Sequence, residues 1–240
     1  MNNEAARVFS RLILPERTVR IKLIGDSITH GMGGTGFAQN GEVFTSGFAR
    51  NPDGFCWANL FRDELESCYD CKVINNAISG ARIELILERF DELVDEEDDI
   101  VLCAVGTNNR SYAVASGPKP SKTEYMKRFY EKIVALNDLL RKAGKEAVFC
   151  ANIPASKSNE QDGTDYWRVF HMDDVHDIFM KASYTCGFPL ISLSREFSEY
   201  CISNGITIDS LLADGLHPND AGYRVIFSII MKELGLGCKI

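Results

Sequence analysis

No stretch of this 240-residue sequence approaches the roughly 20 consecutive apolar residues that a membrane-spanning helix needs. The amino end also lacks the apolar core of a secretion signal, because Arg11 and Glu16 interrupt the apolar residues at 8–14. The expectation is a cytoplasmic protein without a membrane span. Positive charge is in deficit: 26 Lys and Arg stand against 34 Asp and Glu, a net charge of −8. A nucleic-acid surface would want a basic stripe, so no nucleic-acid partner is expected. Histidine is scarce, four in all, which narrows the choice of a general base. The eight cysteines lack a metal-site pattern. Cys68-Tyr-Asp-Cys71 has no second Cys or His pair at a matching offset, and Cys103 and Cys150 sit in apolar runs as small hydrophobes do. No metal and no cofactor is expected. Neither an internal repeat nor a linker-like composition break appears, so residues 1–240 read as one domain.

What is present is an alternation. Apolar strands are read at residues 19–24, 72–78, 100–105, 147–153 and 189–193. Helices follow them. The first covers about residues 55–66, with Trp57, Leu60, Phe61, Leu65 and Cys68 on one face. The next carries Ile83, Ile86, Leu87, Phe90 and Val94, and an acidic run at 95–99 reads as a solvated loop. Ser121-Lys-Thr-Glu124 resembles a capping box opening a long helix with Tyr125, Phe129, Ile133, Leu136 and Leu140 in register, closed by Gly144. A polar loop at 155–165 precedes a helix using Met172, Val175, Phe179 and Ala182. Residues 194–208 read as short helix and turn. The last helix begins near Pro218, uses Val225, Ile226, Ile229 and Ile230, and ends at Gly235. Five alternations with uniformly apolar strands argue for one parallel sheet covered on both faces. Right-handed crossovers favour a flavodoxin-like three-layer α/β/α sandwich with strand order 2-1-3-4-5.

The first three strands end in Gly25-Asp26-Ser27, Ser79-Gly80 and Gly106-Thr-Asn108, which that order brings to one sheet edge. In open α/β sheets, that edge holds the ligand crevice. Serine acyl chemistry needs a base, a group orienting the base, and donors for an oxyanion. Ser27 could equally be part of a polar turn in which Asp26 or Ser27 caps a helix. Among the histidines, His171 and His176 lie in a helical stretch and His30 sits on the serine's own turn. His217 is favoured because Asp214, three residues upstream across a glycine, can reach its Nδ1–H. The alternative makes His217-Pro218 the ordinary start of a helix. Natural oxyanion donors are the Ser27 N–H, the Gly80 N–H and the Asn108 amide, although a strand-end turn and a loop cap explain the latter two equally simply.

Together, Gly25-Asp26-Ser27, Gly80, Gly106-x-Asn108 and Asp214-x-x-His217 resemble the four motif blocks of the SGNH (GDSL) hydrolase superfamily, in the family's order. The resemblance implies a flavodoxin-like α/β/α fold and metal-free hydrolysis of carboxylic esters. By position it makes Ser27 the nucleophile, His217 the base and Asp214 its support, with Gly80 and Asn108 joining Ser27 in the oxyanion hole. The sequence is similar to bacterial members found with surface-polysaccharide genes, which implies a glycan or small-molecule ester substrate bearing an acyl group. It departs from the family where Asn109 replaces the usual aspartate of the third block. The Gly-rich stretch at 31–54 is also long and is expected to shape the substrate mouth. An O-acyltransferase would use the same residues. A flavodoxin-like nucleotide-binding module would instead use Gly31-Met-Gly33-Gly-Thr-Gly36, although those glycines do not directly follow a strand.

Overall fold

A computed structural model of the chain describes residues 4–13, 15–37, 51, 53–111, 120–160 and 168–237. Its strands are β1 (Val19–Gly25), β2 (Cys71–Asn75), β3 (Ile100–Ala104), β4 (Glu146–Ala151) and β5 (Leu190–Ser192). They form one five-stranded sheet in the order β2-β1-β3-β4-β5, with every pairing parallel. The expected order and the α/β/α layering are thus observed.

Successive residues of a strand point to opposite faces, and here both faces are buried. Ile21, Leu23, Ile100, Leu102, Val148 and Cys150 feed one core, which α1 (Glu4–Phe9), α3 (Trp57–Cys68), α9 (Leu193–Asn204) and α10 (Asp220–Glu233) cover. Ile24, Val101, Cys103, Phe149 and Ala151 feed the other, under α4 (Ile83–Glu88), α5 (Phe90–Leu93), α6 (Lys122–Lys142) and α8 (Met172–Cys186). That is why the strands read as unbroken apolar runs. Five short elements complete the description of these residues: α2 (Ser27–His30), α7 (Lys157–Glu160) and 3-10 turns at Ser10–Leu12, Thr107–Arg110 and Ile208–Leu211.

Several boundaries differ from the sequence reading. Strand β2 stops at Asn75, whose side chain accepts from the Ala77 N–H and donates to Thr29 O, turning the chain. The Ile78 N–H still reaches Gly25 O at 3.0 Å, so residues 79–80 stay beside the end of β1. The segment read as one helix around 83–94 turns at Arg89 into α4 and α5. Residues 193–204 form a full three-turn helix, with Leu193, Phe197 and Cys201 buried at i, i+4 spacing. Pro218 does not open the last helix. It bridges to Leu212, and Asn219 caps α10 by accepting from the Gly222 N–H at 3.0 Å.

The acidic run is not simply solvated. Lys22, 1 % exposed on β1, places Nζ 2.6 Å from Asp95 Oδ2 and 3.3 Å from Asp98 Oδ2. Asp98 and Asp99 are themselves buried, and Asp99 receives the Arg17 guanidinium at 2.6 and 3.0 Å. Of the stretch at 31–54, residues 38–50 and 52 lie outside the described residues, as do 161–165 of the loop read at 155–165.

Candidate active site

Strand β1 delivers its last residue, Gly25, against β3, where an added Cβ would collide with Ala104 O. The Asp26 N–H donates to that same carbonyl at 3.2 Å, and Asp26 Oδ1 accepts from the Ile28 N–H at 3.1 Å. Asp26 therefore caps α2, and Ser27 is its first residue. The capping alternative and the nucleophile reading of Ser27 turn out to be compatible.

Ser27 Oγ lies 2.8 Å from His217 Nε2, and His217 Nδ1 lies 2.7 Å from Asp214 Oδ2. The other Asp214 oxygen accepts from the Leu216 and His217 N–H groups at 3.0 and 2.7 Å. Partial burial pushes the Asp214 carboxyl up, but the hydrogen bonds from the His217 ring and these two amides outweigh it and hold the group at about 2. A carboxylate on Nδ1 keeps the proton there and leaves Nε2 as the acceptor facing the serine. The loop is closed by the Ala213 N–H on His217 O at 2.7 Å and braced by the Ser156 N–H on Gly215 O at 2.8 Å.

The ends of β2 and β3 flank this chain of groups. Gly80 has φ of +77° with open space where a side chain would project. Glycine adopts that conformation without strain. Asn108, in the 3-10 turn, donates from Nδ2 to Ala81 O at 3.0 Å, which sets its amide beside the Gly80 turn and leaves its second amide hydrogen uncommitted. Among the described residues the Ser27 and Gly80 N–H groups have no partner. Asn109 does different work. Its Oδ1 accepts from the Ile83 N–H at 3.0 Å and its Nδ2 donates to Glu84 Oε2 at 2.8 Å. An aspartate could not donate to Glu84, so the departure from the family's usual acid has a local reason.

The remaining histidines are used elsewhere. His30 packs edge-on to Phe37, His171 Nδ1 lies 2.8 Å from Glu160, and His176 Nε2 lies 2.7 Å from Ser192 Oγ. Residues 31–36 pack on protein: a Cβ on Gly33 would lie 2.5 Å from Pro218 O, and one on Gly34 would strike Phe55 O. Among the described residues no cluster of three His, Cys, Asp or Glu side chains is placed to hold a metal ion.

Sequence reasoning missed the group beneath the serine. Asp26 is fully buried, and burial pushes its carboxyl up to about 6 against the hydrogen bonds it accepts from Ile28 and Thr107. Asn152, at the end of β4, donates from Nδ2 to Asp26 Oδ2 at 3.0 Å and to Thr107 Oγ1 at 2.8 Å. The available signal was positional. Thr107 is a polar residue three past the end of β3, and Asn152 a polar residue within the apolar run read at 147–153 and directly after β4, both on the edge that carries Ser27.

A 2-1-3-4-5 parallel sheet with Ser27 just past the carboxyl end of β1, met in hydrogen-bond sequence by His217 and Asp214 from the loop before α10, is the layout of an SGNH-type hydrolase. The chain belongs to the GDSL-like lipase/acylhydrolase family, whose model matches residues 23–225, and it is an ester hydrolase of that type. No curated protein matches the sequence. Among solved structures it is similar to Axe2, an acetylxylan esterase from Geobacillus stearothermophilus, with 19% identity over 92% of this chain and 96% of that one and a TM-score of 0.68. A lipase/acylhydrolase from Enterococcus faecalis shows 19% identity over 90% and 95% of the two chains, with a TM-score of 0.65. The acetyl xylan esterase AlAXEase shows 18% identity over 89% and 98%, with a TM-score of 0.64. At these identities the likeness establishes the shared fold.

Proposed function

We propose that the protein cleaves a carboxylic ester through an acyl-Ser27 intermediate, and that the ester is an O-acyl, chiefly O-acetyl, group on a carbohydrate. The observation that carries the chemistry is the unbroken path Ser27 Oγ, His217 Nε2, His217 Nδ1, Asp214 Oδ2, with steps of 2.8 and 2.7 Å. His217 takes the Ser27 proton as Oγ attacks the ester carbonyl. The carbonyl oxygen then carries the negative charge, which this reading assigns to the N–H groups of Ser27 and Gly80 and to the Asn108 amide. Collapse expels the alcohol, which takes the proton from His217. A water molecule, deprotonated by His217, then attacks the acyl-serine and releases the acid, restoring Ser27. Asp214, held at about 2, stays ionised and supports the imidazolium in both halves.

The carbohydrate assignment draws support from two acetylxylan esterases among the structural neighbours and from the resemblance to members found with polysaccharide genes. Acetate release from an acetylated xylo-oligosaccharide, compared with release from p-nitrophenyl acetate and a long-chain acyl ester, tests it. Faster turnover of the acetylated sugar is expected. A preference for the long-chain ester would remove the carbohydrate assignment while leaving the serine chemistry. Acyl-sugar formation outpacing acid release would reassign the protein as a transferase.

A further inference from the structure

The glycine-rich stretch that formally matches a dinucleotide pattern does something else. It leaves α2 at Gly31, directly after the turn that bears Ser27, and runs across the start of α10, directly after His217. Three contacts tie the two. Tyr223, fully buried on α10, donates its hydroxyl to Met32 O at 2.6 Å. Asp220, one turn earlier on the same face, takes both the Thr35 N–H and the Thr35 hydroxyl at 2.8 Å each. Between them Gly33 lies so close to the His217 segment that a Cβ would stand 2.5 Å from Pro218 O and 3.0 Å from His217 Cβ. The far side of the strap is anchored where the Phe55 N–H donates to Thr35 O at 2.8 Å.

We propose that residues 31–36 are a positioning strap. Asp220 and Tyr223 clasp it so that the segments bearing Ser27 and His217 move as one body and hold their hydrogen-bonding distance. Neither Asp220 nor Tyr223 touches the reacting atoms, so both act through the geometry of the pair. The sheet alone does not secure that geometry. Ser27 follows β1, whereas His217 sits on a loop whose nearest strand ended 25 residues earlier, at Ser192. Small misplacements of reacting groups are costly in rate, on the order of a hundredfold for 1 Å. Gly33 is required because the strap's backbone there lies directly on the His217 segment, and Gly34 because it lies against Phe55 O on the strap's far side. The inference rests on Ser27 and His217 being nucleophile and base.

The test compares Asp220→Ala, Asp220→Asn, Tyr223→Phe and the double variant Asp220→Ala/Tyr223→Phe. The readouts are kcat and KM for p-nitrophenyl acetate, melting temperature, and the rate at which a fluorophosphonate labels Ser27. The double variant should lose on the order of tenfold in both kcat and labelling rate with KM within about twofold of wild type. Asparagine at 220 retains an acceptor for the Thr35 N–H and a donor for its hydroxyl, so Asp220→Asn should recover most of the loss. Asp220 meets an exposed Thr35, so Asp220→Ala alone carries the test if Tyr223→Phe fails to fold. Wild-type kcat and labelling in folded clasp variants that merely melt earlier would overturn the proposal. Full turnover by Ser27→Ala would instead sink the nucleophile reading, and the strap's role with it, and that variant is measured separately.

Discussion

Asn108 and Asn109 are neighbours of identical chemistry with different partners, and substitution should separate them. Removing an oxyanion donor typically costs roughly 3 kcal/mol of transition-state stabilisation, so Asn108→Ala should lower kcat about a hundredfold with little change in KM. Asn109 ties two groups at the start of α4, the Ile83 N–H and Glu84, and its removal should cost about 1–2 kcal/mol of stability with kcat retained. Kinetics and melting curves of both variants decide it; an Asn108 variant that melts early but turns over normally would refute the donor role. The two active-site aspartates should also act oppositely on stability. Asp214 is held near 2, below the ordinary 3.8, so the stability it contributes, reduced by solvent screening at this partly exposed site, is present above pH 3.8 and fades as pH falls toward 2. Asp26 is raised to about 6, so the folded state binds the extra proton, and stability should fall by about 3 kcal/mol as pH rises from 3.8 to 6. Asp26→Asn should flatten that decline in urea titrations at pH 4 to 7. An unchanged slope would show that Asp26 is not the group responsible.

At the scale of the element, strands were legible from their unbroken apolar runs because both faces of the sheet are buried, and α6 was legible from its cap, where the Ser121 hydroxyl accepts from the Glu124 N–H at 3.2 Å. Boundaries set by side chains reaching distant partners were not. The end of β2 depends on Asn75 bonding Thr29, 46 residues away, and the start of α10 depends on Pro218 being held by Leu212. The acidic run looked like solvated loop because it was read without Lys22 of β1, which it neutralises. Their pairing is expensive to break. A Lys22→Ala variant removes the shorter of the two cation contacts to the buried Asp98, whose Oδ1 keeps only Arg20 Nε at 3.6 Å, and should cost about 3 kcal/mol by denaturant unfolding. A loss under about 1 kcal/mol, as for an exposed pair, would show that Asp98 is solvated after all.

Across the whole molecule, Ser27 and His217 are 190 residues apart in sequence and 2.8 Å apart in space. Their meeting was legible because Asp214 stands three residues before His217 and that block resembles the family's, whereas the parallel sheet brings only the motifs after β1, β2 and β3 to one edge. The support for that meeting was not legible. Asp26, Thr107 and Asn152 form a buried set drawn from three strand ends, and Tyr223 and Asp220 hold a strap whose glycines have a second plausible reading. Because the oxyanion charge is assigned to N–H donors, turnover should survive incubation with a strong chelator. Inactivation reversed by zinc would contradict that assignment and return attention to Cys68 and Cys71. The central claim is that Ser27 is activated by His217. Intact-mass and peptide analysis after exposure to a fluorophosphonate tests it most directly. The account predicts one adduct, on Ser27, formed quickly by the wild type and lost or greatly slowed in His217→Ala. An adduct on another residue, or labelling of Ser27 at the wild-type rate without His217, would contradict it.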